Sequence, residues 1–232
     1  MMGMMDDAVI RVSFDIVGAG GAAGRADNTS GAGGRGGDGD IVQFDLLLPL
    51  GTVLGLYVGT GAVTGSVARA DGCPDIARGG MAGDNGRSGG GGQPSVVRMG
   101  GRTLGGSGGG GGGAGGGGTP PADGGPGNSS AGLRWGGYAD GADSSDGLQG
   151  AGGGGVEVGG EHGLVQNQGG ARGSSLVPPG ALPFSGIADH AAGKGSPPNP
   201  GWSGEPGRIT LTVRGVATVF NFTGTPQQFT VR

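Results

Sequence analysis

VSFDIVGAGGAAG, residues 12–24, is the stretch whose reading decides the fold. With Val9–Arg11 ahead of it, Ile10, Val12, Phe14 and Ile16 fall on one side and Arg11, Ser13 and Asp15 on the other. That alternation predicts a β-strand with one apolar face. The second half, Gly18-Ala19-Gly20-Gly21-Ala22-Ala23, matches the dinucleotide-binding turn G-x-G-x-x-G/A, with Asp45 roughly where a ribose-binding acid would stand. Such a turn needs a helix directly after it, because the pyrophosphate rests on that helix's N-terminus. Residues 19–40 instead hold nine glycines in twenty-two positions, and no crossover leads to a parallel second strand. The strand stands and the nucleotide site does not. Gly18, Gly20 and Gly21 mark the point where the chain leaves a sheet for a layer built from glycine.

The composition extends that conclusion to the whole chain. Of 232 residues, 67 are glycine and 14 are proline, a level usually associated with low complexity. Leu, Ile, Val and Phe total 43, too few for an ordinary core of this length. The net charge is only −4, whereas disordered chains pair low hydrophobicity with high net charge. Glycine loses more backbone freedom on ordering than any other residue, so backbone hydrogen bonding between closely packed chains must offset that loss. A strict G-X-Y repeat would mean collagen, but GGSGGGGGGAGGGG (105–118), SGGGG (88–92) and GAGGGG (150–155) keep no such period. Twelve glycines in the fourteen residues 105–118 also exclude α-helix, at about 1 kcal/mol each relative to alanine. The three-residue-per-turn extended helix remains. It has no internal hydrogen bonds, so it must bond sideways to neighbours. Ser107 and Ala114 are read as facing outward or lying at the edge of such a bundle.

Three regions follow along a single glycine-rich domain spanning 1–232. Residues 8–67 carry most of the strand signal, with IVQFDLLLPL (41–50) and TVLGLYVG (52–59) predicted as a hairpin or close strand pair about Pro49-Leu50-Gly51. Residues 68–207 are predicted as the glycine bundle with loop insertions and one short strand, PSVVRMG (94–100). Residues 208–232 return to alternation, with breaks at Gly215 and Gly224-Thr225-Pro226. Ile209, Leu211 and Val213 are placed to pair with the first strand. The fold class is therefore mainly β with little or no α-helix: a small antiparallel sheet, packed polyglycine II helices and long loops.

Chemistry-bearing motifs are sparse. GGRGGD (33–38) matches a calcium-binding β-roll repeat, but that site is built between tandem copies and no second copy follows. Arg35-Gly36-Gly37 and Arg78-Gly79-Gly80 resemble RNA-binding RGG segments without the aromatic interleaving or positive field those need. His162, His190 and the single cysteine, Cys73, are far apart in sequence and read as loop residues. The chain is read as non-enzymatic, with no cofactor, no metal site and no nucleic-acid partner. It shows no secretion signal at its start and no stretch approaching the ~20 apolar residues of a membrane span. The insertions 133–147 and 176–207 carry Trp135, Tyr138, Phe184 and Trp202. Aromatics on polar loops suit recognition of a glycan or protein, so these four are the candidate receptor contacts. Packing against the glycine layer or a neighbouring subunit is their alternative role.

VSFDIVGAGG, then GAGGRGGDGDIVQFDLLLPLGTVLGLYVGTG (31–61), GGGGQPSVVRMGG (89–101), GGSGGGGGGAGGGG (105–118) and GRITLTV (207–213) occur in a characteristic order. The order resembles the glycine-rich domain of bacteriophage tail-fibre and minor tail proteins, over about residues 9–213. The adhesins of T-even phages, with packed polyglycine helices and receptor-binding loops, are a more distant likeness. The resemblance implies a virion tail protein made in the host cytoplasm, partnered by other tail proteins and assembled as a homo-oligomer, a trimer by preference. It also implies host-surface contact through loops, with residues 1–8 or 214–232 left for docking to the particle. A different class, an ice-binding polyglycine bundle, would need a flat, regularly patterned face that these irregular insertions do not supply, and a self-associating cell-surface structural protein would be expected to carry a secretion signal.

Overall fold

The computed structural model describes residues 8–25, 33–62, 76–80, 88–114, 153–157, 160–161, 163, 168–188, 192–197 and 203–232. Eight strands form: β1 Val9–Val17, β2 Ile41–Pro49, β3 Val53–Tyr57, β4 Ser95–Met99, β5 Arg102–Ser107, β6 Arg208–Val213, β7 Val216–Asn221 and β8 Gln227–Thr230. Among the described residues there is no helix. The strands make two antiparallel four-stranded sheets, ordered β2-β1-β6-β7 and β5-β4-β3-β8. The fold is thus mainly β, with two sheets where the sequence suggested one.

The alternation in β1 sets the core. Ile10, Val12, Phe14 and Ile16 turn inward, and Phe14 stacks on Phe44 of β2 at 4.9 Å between ring centroids. Leu54 and Leu56 of β3, Val97 of β4 and Ile209 and Leu211 of β6 join the same cluster, so the apolar faces of the two sheets pack on each other. Burial of each such side chain contributes roughly 1.5–3 kcal/mol. The predicted pairing of the last region with the first strand is present, with Ile209 opposite Ile16, Leu211 opposite Phe14 and Val213 opposite Val12. β6 and β7 are joined by Arg214-Gly215, with φ of 50° and 79°, the two positive values of a tight type I′ hairpin.

Two strand predictions are corrected. Residues 41–50 and 52–59 do not form a hairpin: β2 pairs with β1, while β3 pairs with β4 and β8 in the other sheet. Both strands send apolar side chains into the same core, and they do so from opposite sheets. Alternation fixes which face is buried and leaves the neighbour open. The region 68–207 also holds a second strand, β5, which pairs with β4 around a register shift at Val97/Arg98. Its Gly105-Gly106 disguised it. A side chain at Gly105 would run into the Phe44 ring, 2.6 Å from Cζ.

Strands and glycine segments do not divide into separate regions; they alternate. β1, β3 and β5 run directly into segments 18–24, 58–62 and 108–114, and segments 33–40, 88–94 and 203–207 run directly into β2, β4 and β6. Segment 18–24 shows how the layer is built. Its successive amides, from Gly18 to Ala22, donate to Asp40, Gln93, Glu205, Gly37 and Gly90 at 2.9–3.0 Å. The partner changes with each residue and returns to the same segment every third residue. The carbonyls of Ala19, Gly20, Gly21 and Ala22 accept in turn from Gly110, Ala62, Ser196 and Gly113. One chain therefore bonds to six neighbours, three through N–H and three through C=O. The bonding runs sideways to neighbouring segments and repeats every third residue. Other pairs keep the same step: Gly34, Gly37 and Asp40 donate to Ala114, Gly111 and Gly108.

Neighbours on every side leave no room for Cβ atoms. A methyl group on Gly18, Gly21 or Gly112 would overlap the carbonyl of Gly108, Gly111 or Gly89. Ser107 and Ala114, expected at an edge, are both fully buried. Ser107 accepts from the Gly18 amide at 3.1 Å and donates to the Asp40 carbonyl. Ser95 likewise accepts from the Gly59 amide at 3.1 Å and donates to the Val17 carbonyl at 2.7 Å. Each serine ties three chains at the seam between sheets and glycine layer.

The close approach makes a direct prediction. Gly112→Ala has only backbone to displace and is expected to lower stability by about 1–3 kcal/mol or more. Gly55→Ala in β3, whose nearest neighbour is Tyr57 Cε2 at 3.4 Å, is expected to stay within about 0.5 kcal/mol. Denaturant unfolding of both variants checks this, and equal stabilities would contradict the packing.

Candidate functional site

The most extensively bonded polar cluster lies on the polar face of the first sheet. Ser13, Asp15, Asp45, Thr210 and Thr212 all point away from the apolar core, yet each is buried. Part of the cover is segment 176–188, which carries Phe184. The segment crosses from one sheet edge to the other: Leu176 bridges Gly106 of β5, and Leu182 bridges Asp45 of β2. Both bridges are reciprocal backbone pairs, at 2.8 and 3.0 Å and at 2.9 and 3.0 Å respectively.

Side chains fix the segment further. The Asp45 carboxylate, with no exposure, pairs with Arg11 Nε at 3.1 Å. It also accepts from the Ser185 hydroxyl at 2.6 Å and the Ser185 amide at 3.3 Å. Thr212 Oγ1 accepts from the Ile187 amide at 3.2 Å. Gly186 lies so close to Ser13 that a side chain there would meet its Cβ at 2.5 Å. Upstream, Asp40 holds the same stretch of chain, accepting from Arg172 Nη1 at 2.7 Å and Ser175 Oγ at 2.6 Å. A buried carboxylate is tolerable only when its lone pairs are satisfied, and fully buried Asp45 meets that condition; Asp40, with 26% of its side chain exposed, grips the residues just ahead of the segment at a second point.

Of the four candidate contacts, Phe184 sits within this anchored segment, half-buried, its ring folded over Gly186 at 2.9 Å from the position a Cβ would take. Trp135, Tyr138 and Trp202 lie outside the described residues, as do Cys73, His162 and His190. The structure therefore does not bring the four aromatics together as one described surface. Ala114, the last described residue of segment 108–114, is bonded to Gly34 two three-residue steps beyond the Asp40–Gly108 bond at the sheet seam.

The rejected motifs have definite places. Asp45, the would-be ribose ligand, lies beneath Leu182 and Ser185. The acid of GGRGGD, Asp38, accepts from the Gly195 amide at 2.7 Å and pairs with Arg35 and Lys194 at 3.3 and 3.6 Å. Among the described residues no three His, Cys, Asp or Glu side chains gather as metal ligands, and no helix is long and apolar enough to cross a membrane. Arg11, Asp40, Arg172, Ser175 and Ser185, which anchor the segment, were not among the candidates read from the sequence. The one readable signal was a lone aspartate inside the apolar run IVQFDLLLPL, since an acid in a strand of that kind needs a partner.

No protein-family model and no curated protein matches the chain.

Removing the Asp45 charge should loosen the segment while sparing the core. Asp45→Asn forfeits the Arg11 pair and opposes an amide to the Ser185 donors, an expected loss of about 1–3 kcal/mol. Limited proteolysis should then cut faster within 176–188 than in the parent protein; an unchanged cleavage rate would contradict the anchoring role.

Proposed function

We propose that this chain is a non-enzymatic structural component of a bacteriophage tail, a tail-tip, minor tail or fibre protein whose loops contact the host surface. The observation that supports it best is the glycine layer continuous with six of the eight strands. Such a block is stiffened by backbone bonds rather than by a large apolar core, and it suits a part that bears load and holds recognition loops. The order of strands and glycine segments, which resembles that of phage glycine-rich tail domains, supports the same reading. So does the anchoring of segment 176–188, which presents Phe184 from a fixed base. In this role the chain's partners are other tail proteins and, through the loops, a host glycan or surface protein, and its assembly is a homotrimer in the virion tail.

The reading is tested with purified phage particles carrying the gene for this chain. Mass spectrometry and antibody labelling in electron micrographs should find the chain at the tail; its absence from intact particles would overturn the assignment. Replacing Trp135, Tyr138 and Trp202 together with alanine should reduce host adsorption at least tenfold with particle yield unchanged. Unchanged adsorption would remove the receptor role and leave the structural one.

A further inference from the structure

The two sides of the sandwich are finished differently. On one side the edge strands β2 and β5 are both closed by the backbone bridges of segment 176–182. On the other, β7 and β8 are the edge strands, and among the described residues no bridge covers either. β7, VATVFN, has neither charge nor proline along six residues, so it lacks the usual devices that keep an edge from pairing. Phe220 and Phe229 meet edge-to-face at 5.9 Å between the two sheets. Beyond them the sheets gape. A cleft of about 530 Å3 opens between Val213, Arg214 and Val216 on one wall and Phe229, Thr230 and Arg232 on the other. Val216 is 68% exposed even though it stands on the same side of β7 as Phe220, which is partly buried against the core.

The rim of this cleft is cationic. Neither Arg214 nor Arg232 pairs with a carboxylate among the described residues, and no acidic residue lines the cleft. Arg214 also holds a φ of 50°, the only positive value at a non-glycine residue among those described. Asn, Asp or Gly suits that turn position better, and a strained residue kept in place against its local preference is a pointer to a role.

We infer that the β7–β8 side is a strand-acceptor site for an extended, acidic segment of a different protein chain. The segment adds to the free edge of β7 by backbone hydrogen bonds. Its alternate apolar side chains enter the gap beside Val216 and Phe229, and its carboxylates meet Arg214 and Arg232. A second copy presenting the same edge would bring two more arginines and no acidic side chain, so charge complementarity disfavours that pairing and favours a partner of other sequence. The inference stands on this geometry whether or not the chain belongs to a virion.

A displayed library of random nonapeptides, selected on the full chain, tests it. The enriched peptides should carry Asp or Glu flanking alternating apolar residues. The most enriched one, made synthetically, should bind at least tenfold more weakly to Arg214→Asn and to Val216→Asp, and more weakly as salt is raised. Asn suits the turn and Val216 is exposed, so both variants should unfold no earlier than the parent. Failure to enrich any sequence class, or equal binding to all three proteins, would overturn the proposal. Self-association of the full chain in sedimentation equilibrium that Val216→Asp abolishes would overturn it in favour of a second copy.

Discussion

The structure depends on one constraint: in segment 18–24 each backbone amide and carbonyl must find a different neighbouring chain, and the pattern must close every third residue. Bonds that repeat every third residue run out in several directions, so the segment can be buried only when neighbours stand on all sides at backbone contact distance. Leaving a buried donor unpaired costs about 1–3 kcal/mol, so the neighbours are fixed in register as well as in place. Glycine is the residue that permits this approach, as the overlaps at Gly18, Gly21 and Gly112 make plain. The entropy lost in ordering glycine is offset by bonds that no bulkier residue could bring close enough to form. Because six strands are continuous with these segments, the same register also aligns the sheets. Ser95 and Ser107 carry it across the seam.

Much of this was legible in the sequence because the two parts of the fold write different signals. β1 and β6 alternate cleanly, and their pairing follows from the match of Phe14 with Leu211 and Ile16 with Ile209. The exclusion of helix followed from glycine density alone. The neighbour relations were less visible. Both β2 and β3 are apolar on alternate positions, and nothing in that pattern says they belong to different sheets. β5 was hidden because Gly105 and Gly106, which admit the Phe44 ring and the adjoining chains, look the same in sequence as glycines of the packed layer. Ser107 reads as an edge residue by its polarity and is buried because its hydroxyl is needed at the seam.

The candidate surface was legible only in outline. A loop rich in aromatics can be picked from composition, and Phe184 does lie on a segment held at fixed points. What holds it could not be picked, because Asp40–Arg172 and Asp45–Arg11 join residues distant in sequence, 132 and 34 positions apart. Asp45 shows the limit most clearly. Its place in an apolar strand announces a partner, and only the fold reveals that the partners are Arg11 and Ser185. The sandwich is also unequal from side to side: bridged by 176–182 at β2 and β5, and without a bridge at β7 and β8 among the described residues. That asymmetry gives the molecule one side on which chain is anchored, and it is the basis of the strand-acceptor role inferred for the other.

The central claim is that the glycine segments are ordered by backbone bonds as firmly as the strands they extend. Amide hydrogen exchange on the intact protein reads this residue by residue. The amides of Gly21, Gly37 and Gly110, each bonded to a neighbouring segment at 2.8–2.9 Å, should exchange as slowly as those of Phe14 and Ile16 in β1. Exchange of the glycine amides at the rate of an unstructured chain, with β1 still protected, would contradict the account.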